Sequence, residues 1–111
     1  MANRRSKRSA VRSSGNVFAD LGLKNAAEKK TKVRLAVAIN HILYKAQLSQ
    51  AQAAERLGIN QPKISALANY RLQGFSVERL MHFLNDLGCE VEIVIRRPRL
   101  RKGPGIRVTA A

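Results

Sequence analysis

The sequence is poor in the residues that form disulfides, metal sites and aromatic cores. It has one cysteine, Cys89, two histidines, two tyrosines, three phenylalanines and no tryptophan. One cysteine excludes a disulfide framework within the chain, and the residues for a Cys/His metal cluster are missing. The core is therefore expected to consist mainly of leucine, isoleucine, valine and alanine, with Cys89 as a buried thiol.

Long apolar runs are also missing. No stretch is long enough to cross a bilayer, and the basic N-terminus lacks the apolar segment of a signal peptide. With the single cysteine, these absences favour the cytoplasm. The 111 residues have room for one domain and little more.

Acidic residues are scarce. The chain has seven acidic residues and 21 lysines and arginines, which gives a net charge of +14 and a pI near 11.4. Residues 1–14 hold five of the basic residues and residues 96–111 hold six, and neither segment holds an acid. We therefore predict a disordered basic arm (1–14), one folded domain (15–96) and a disordered basic tail (97–111). Such a surplus implies a polyanionic partner: DNA, RNA or an anionic membrane.

The residue pattern does not favour catalysis. The carboxylates are scattered, and there is no glycine-rich phosphate loop and no pairing of a nucleophile with a base. We expect neither an enzyme nor a cofactor or metal. RNA-binding modules stack bases on aromatic platforms, and Tyr44, Tyr70 and Phe75 do not form such a pattern.

Helical periodicity begins after a short apolar segment. Asn25 followed by Glu28 resembles an N-terminal cap, and apolar residues recur at helical spacing beyond it, so we predict helix 1 over about 26–45. The preceding residues 15–24 are expected to lie across the domain as a short segment.

Three further helices have clear boundary signals. Ser49 and Gln52 form a capping box that begins helix 2, and Gly58 ends it. Asn60 caps helix 3, which tolerates Pro62 in its first turn and runs to about residue 69. Ser76 caps helix 4, and Gly88 stops it.

In the last part of the domain, the spacing of apolar residues changes from helical to alternating. Alternate apolar residues from Cys89 to Ile95 predict one half-buried strand, with Val91, Ile93 and Ile95 on its apolar face. A single strand leaves its backbone unpaired, so we expect it to pair with the same strand of a second copy. The predicted fold is all-α, with four to five helices plus this strand in a homodimer.

The spacing within residues 50–69 is typical of a helix-turn-helix. Ala54 is small where two helices would cross, Gly58 supplies a left-handed turn, and Leu57, Ile59, Ile64 and Leu67 are expected to be buried. Gln61, Lys63, Ser65 and Ala66 then point outward near the start of helix 3, where a recognition helix meets bases in the major groove. Glutamine pairs with adenine, lysine with guanine, and serine with several bases.

This core resembles the lambda-repressor-like (XRE-type) helix-turn-helix domains, and within them the HigA-type antitoxins. Residues 48–54 and 57–65 carry the resemblance, and residues 17–23 and 87–93 also match. The resemblance implies base reading by Gln61 with Lys63 and Ser65, and phosphate contacts by Gln50 and Asn69. Asn60 and Arg71 are further candidates for phosphate binding.

The resemblance also implies partners. It implies repression from a palindromic DNA operator, with half-sites about 10 bp apart, and neutralisation of a RelE-like ribonuclease toxin. A stand-alone regulator without a toxin is the alternative. The basic ends are open to three interpretations: arms in the minor groove, phosphate binders without sequence preference, or solubilising tails.

Overall fold

Four α-helices follow one another in the part of the chain that the structure describes. A computed structural model describes residues 14–97 and 103–110, with side chains described from residue 25 onward. The helices are α1 (Ser14–Lys45), α2 (Gln50–Leu57), α3 (Gln61–Ala68) and α4 (Val77–Asp86). The predicted all-α class is confirmed, while residues 1–13 of the expected basic arm lie outside the described residues.

The start of helix 1 was predicted wrongly. α1 begins at Ser14 and continues without a break through residues 15–24, which therefore do not form a separate segment. No proline interrupts this stretch, so nothing forces the helix to begin at Asn25. Glu28 lies within the helix, where its carboxylate is 3.4 Å from the ammonium of Lys32 one turn later. The supposed cap is thus an ion pair between helical neighbours.

The other three helix starts are confirmed. Ser49 Oγ accepts the amide of Gln52 at 3.1 Å, and Gln52 Oε1 accepts the amide of Ser49 at 2.9 Å. Asn60 Oδ1 accepts the amide of Lys63 at 3.0 Å. Ser76 Oγ caps α4 in the same way. Each bond satisfies an N–H group that has no acceptor within its helix.

All four helices end in a Schellman motif. In each, the chain turns through one residue of positive φ, and the next amide donates to a carbonyl five residues earlier. The turning residues are Gln47 (φ 56°), Gly58 (70°), Tyr70 (60°) and Gly88 (88°). The corresponding bonds are Leu48 to Leu43 at 3.2 Å, Ile59 to Ala54 at 3.0 Å, Arg71 to Ala66 at 2.8 Å and Cys89 to Leu84 at 2.9 Å. Glycine occupies two of these positions, as predicted, and larger residues occupy the others.

The core lies where α1 meets α3 and α4. Ile39 of α1, Leu67 of α3 and Leu80 of α4 are the largest side chains that are fully buried. The predicted inner face of the helix-turn-helix is confirmed, with Ile59 half-buried and the other three members buried (Leu57, Ile64 and Leu67). Burial of aliphatic side chains is the main favourable contribution to the stability of such a bundle.

The predicted strand is not formed in this single chain. Within residues 14–97 and 103–110 there is no strand, because no neighbouring segment pairs with the backbone after Gly88. Cys89 and Val91 are half-buried against the core, so the thiol is less buried than expected. Ile93 and Ile95 are 72% and 92% exposed. Pairing with a second copy stays a prediction.

The C-terminal tail is described only in part. Residues 103–110 form neither helix nor strand, and Val108 packs half-buried against the core. The predicted disorder of the tail at 98–102 and 111 falls outside the described residues. None of the described helices is both long enough and apolar enough to cross a membrane.

Candidate nucleic-acid interface

The outward face of α3 is defined by the residues that α3 buries. Ile64 is 3% exposed and Leu67 is fully buried, so these two fix the side of the helix that faces the core. With 100° between successive residues, five positions make up the opposite side: Pro62, Ser65, Ala66 and Asn69, the last just past the helix end, with Gln61 at the edge. Gln61, Pro62 and Asn69 are exposed, and the other two are half-buried.

Two hydrogen bonds fix the ends of the helix-turn-helix. Asn40 Nδ2 of α1 donates to the carbonyl of Leu67 at 3.2 Å and so ties α1 to the last turn of α3. Arg56 Nε donates to the carbonyl of Asp86 at 3.3 Å, which joins the end of α2 to the end of α4. α3 is therefore positioned by the core on one side and by α1 at its C-terminal end.

The predicted base-reading residues lie in two different places. Gln61 and Ser65 are on the outward face of α3. Lys63 is half-buried on its flank, with its ammonium 5.3 Å from the centroid of the Phe75 ring. A cation at this distance from an aromatic face is attracted by the ring quadrupole. The side chain of Lys63 thus leans toward the segment that links α3 to α4.

The predicted phosphate-binding residues lie at the start of α2 and at the two ends of α3. Gln50 is the exposed first residue of α2, and Arg71 is exposed just beyond α3. Asn60 uses its side-chain oxygen as the α3 cap. Asn69 Nδ2 donates to the carbonyl of Ser65 at 2.9 Å. The two asparagines therefore already have structural hydrogen bonds within the chain.

The charge of the domain is unevenly distributed along residues 29–92, which the predictions above did not include. Residues 29–77 hold eight basic residues and a single acid, Glu55, whereas residues 78–92 hold four acids and one arginine. The helix-turn-helix and the loop after it therefore belong to the positive part of the domain. The signal was present in the sequence, because most of the acids and most of the cations of the domain lie in separate segments.

Metal-binding side chains are scattered over the described part of the chain. Within the described residues, no group of three histidine, cysteine, aspartate or glutamate side chains is placed to hold a metal ion. His41 and His82 are exposed on α1 and α4, as expected of surface histidines.

A helix pair joined by a left-handed turn, with the second helix exposed on its outer side, defines a helix-turn-helix protein. The family described as "Helix-turn-helix domain" matches residues 17–96. The chain is also similar to a solved structure assigned to the XRE family of transcriptional regulators, at 61% identity and a TM-score of 0.75. That match covers 78% of this chain and 99% of the other. The chain therefore belongs to the XRE family of helix-turn-helix transcriptional regulators.

The resemblance to HigA-type antitoxins is not part of these similarities. No curated protein matches the chain significantly. Neither match is described as an antitoxin.

Proposed function

We propose that this protein is a DNA-binding transcriptional regulator that reads bases through the outward face of α3. The observation that carries the proposal is that polar Gln61, Ser65 and Asn69 lie on one exposed side of a helix whose other side is fixed in the core. A recognition helix needs this combination, because base readout depends on side chains held rigidly at the groove.

Docking uses two kinds of contact. The amides of Gln50 and Ala51 at the start of α2 have no acceptor within the helix, because Ser49 caps only the amide of Gln52, so they are available to a phosphate. Gln61 and Ser65 then face base edges, with Lys63 at the margin. The phosphate contacts set the register of α3, and the base contacts select the sequence.

Two copies acting together would read a palindromic site. The exposed isoleucines Ile93 and Ile95 and the unpaired backbone around them support an antiparallel strand shared between two copies. A two-fold dimer places its recognition helices about one DNA turn apart, which matches a palindrome with half-sites about 10 bp apart. Binding at a promoter would then block transcription.

The readout test compares Gln61→Ala with His82→Ala, a control on the exposed side of α4. Wild-type protein first selects a sequence from randomised duplexes, and affinities for the selected and random DNA are then measured by fluorescence anisotropy. Gln61→Ala should lower the ratio of the two affinities about tenfold, since one bidentate base contact contributes roughly 1–3 kcal/mol. Equal losses on both DNAs would show that α3 does not read bases.

The dimer test uses two neighbouring residues. Ile93→Asp should halve the mass measured by light scattering, because it places a charge on the paired apolar face. Val94→Asp is the matched control on the other face of the predicted strand. The proposed pairing of strands would be refuted if the wild type is monomeric at all concentrations. It would also be refuted if Ile93→Asp leaves the mass unchanged.

The similarity of residues 48–54 and 57–65 to HigA-type antitoxins favours a second role. In that role, DNA binding would autoregulate a promoter, and a small ribonuclease of RelE type would be the protein partner. A neighbouring reading frame whose product is toxic alone, and harmless when co-expressed with this chain, would support the antitoxin. Without such a neighbour, the stand-alone regulator remains.

A further inference from the structure

The first turn of α3 places a hydrocarbon side chain, that of Pro62, at the centre of its outward face. Pro62 lies nearly opposite the midpoint of Ile64 and Leu67, as does Asn69 at the other end of the helix. Ala66 lies one turn after Pro62, as far from this centre as Ser65, and packs partly against the core. Pro62 is exposed and Ala66 is half-buried. The polar residues of the face, Gln61 and Ser65, lie to one side of this pair. Pro62 and Ala66 therefore form an apolar strip beside the polar side chains.

The tip of α3 also has few hydrogen-bond donors. The amide of Lys63 is already bonded to Asn60 Oδ1 at 3.0 Å, and Pro62 has no amide hydrogen. Of the first three residues of α3, only Gln61 therefore keeps a backbone donor for a ligand. The ammonium of Lys63 lies beside the Phe75 ring and not at the centre of the face. The backbone of this turn thus offers one donor to a ligand, and Pro62 beside it offers an exposed apolar surface.

The geometry points to thymine as the base that Pro62 and Ala66 meet. We propose that these two residues contact the C5-methyl group of a thymine in each half-site and so make an A·T pair part of the recognised sequence. Among the four bases of unmodified DNA, thymine alone presents a methyl group in the major groove. This inference rests on the proposed function, because it requires α3 to lie in that groove.

The size of the effect follows from the group that is buried. Removing one buried methyl group from an apolar contact weakens binding about fourfold. Deoxyuridine differs from thymidine only by that methyl group, so its pairing and hydrogen bonds are unchanged. A substitution of thymidine by deoxyuridine therefore isolates the proposed contact.

The experiment uses the full-length protein and a duplex of about 30 bp that it has selected from random sequence, long enough for two half-sites one turn apart. Each thymidine is replaced in turn by deoxyuridine, and Kd is measured by fluorescence anisotropy. For the wild type, we expect one thymine per half-site at which Kd rises about fourfold. Pro62→Ala should lose most of that sensitivity. Gln61→Ala, the matched control, should keep it while binding more weakly.

Two results would overturn the proposal. The first is that the wild-type protein binds every deoxyuridine duplex as tightly as the parent duplex. This result is obtained with the wild type alone, so it does not depend on whether a variant folds. The other is a Pro62→Ala protein, folded by circular dichroism, that keeps the full sensitivity. Failure of the proposed function has a different signature, since no sequence would then be enriched from the random duplexes.

Discussion

The left-handed residues at the helix ends allow a stability prediction with opposite signs at two positions. Gly58 turns the chain between α2 and α3 with φ 70°, and Gln47 turns it between α1 and α2 with φ 56°. Both have the same role in the same motif, but only one is a glycine. We predict that Gly58→Ala destabilises the protein and that Gln47→Gly stabilises it.

The magnitude comes from the backbone alone. A β-carbon at Gly58 would meet no atom within 4 Å, so Gly58→Ala creates no clash. The cost is the left-handed strain of a residue with a β-carbon, roughly 1–2 kcal/mol. The lower entropy of alanine in the unfolded chain offsets about 0.4–1 kcal/mol of it. The net loss is about 1 kcal/mol, and the same reasoning gives Gln47→Gly a gain of similar size.

Thermal unfolding followed by circular dichroism measures both changes. A shift of 1 kcal/mol corresponds to roughly 4–8 °C in Tm for a domain of this size. Gln73→Gly is the matched control, because Gln73 is exposed and has no positive φ, so glycine there should not stabilise. The reasoning is refuted if Gln47→Gly lowers Tm as much as Gln73→Gly does, or if Gly58→Ala leaves Tm unchanged.

Three further predictions concern single side chains around α3. Asn60→Ser keeps a capping oxygen, so Tm should stay within a few degrees. Loss of the side-chain amide should weaken binding to selected and random DNA alike. A lower Tm with unchanged binding would show that Asn60 acts only as the cap. Arg71→Ala should make the slope of log K against log salt shallower by about one unit if its guanidinium holds a phosphate, and an unchanged slope would remove it from the interface. Lys63→Met keeps an unbranched side chain beside Phe75 but loses the charge, so the free energy of unfolding should fall by roughly 0.5–1 kcal/mol. Lys30→Met is the control at an exposed lysine of α1 and should have a smaller effect.

Features that depend on a few neighbouring residues were predictable from the sequence. The caps at Ser49, Asn60 and Ser76 involve atoms only three residues apart, so the pattern of residues was sufficient to place them. The turns at Gly58 and Gly88 were predictable for the same reason, since glycine favours positive φ. The inner face of the helix-turn-helix followed from helical spacing.

Features that depend on a choice between local alternatives, or on distant residues, were not predictable. Asn25 and Glu28 fit a cap, but Glu28 fits equally well an ion pair with Lys32, and the longer helix is the outcome. The direction of Lys63 depends on Phe75, which folding brings beside it from the following loop.

The outward face of α3 has no formal charge, and this separates specificity from affinity. Its five residues are neutral, so the base contacts release no counterions from the DNA. The dependence of binding on salt must then come from the cations outside this face, among them the eleven basic residues of 1–14 and 96–111. If six of these touch phosphates, log K falls with log salt at a slope of about −5 on selected and random DNA alike. The ratio of the two affinities should therefore stay nearly constant as salt rises, and a ratio that falls steeply would place charged side chains in the base contacts.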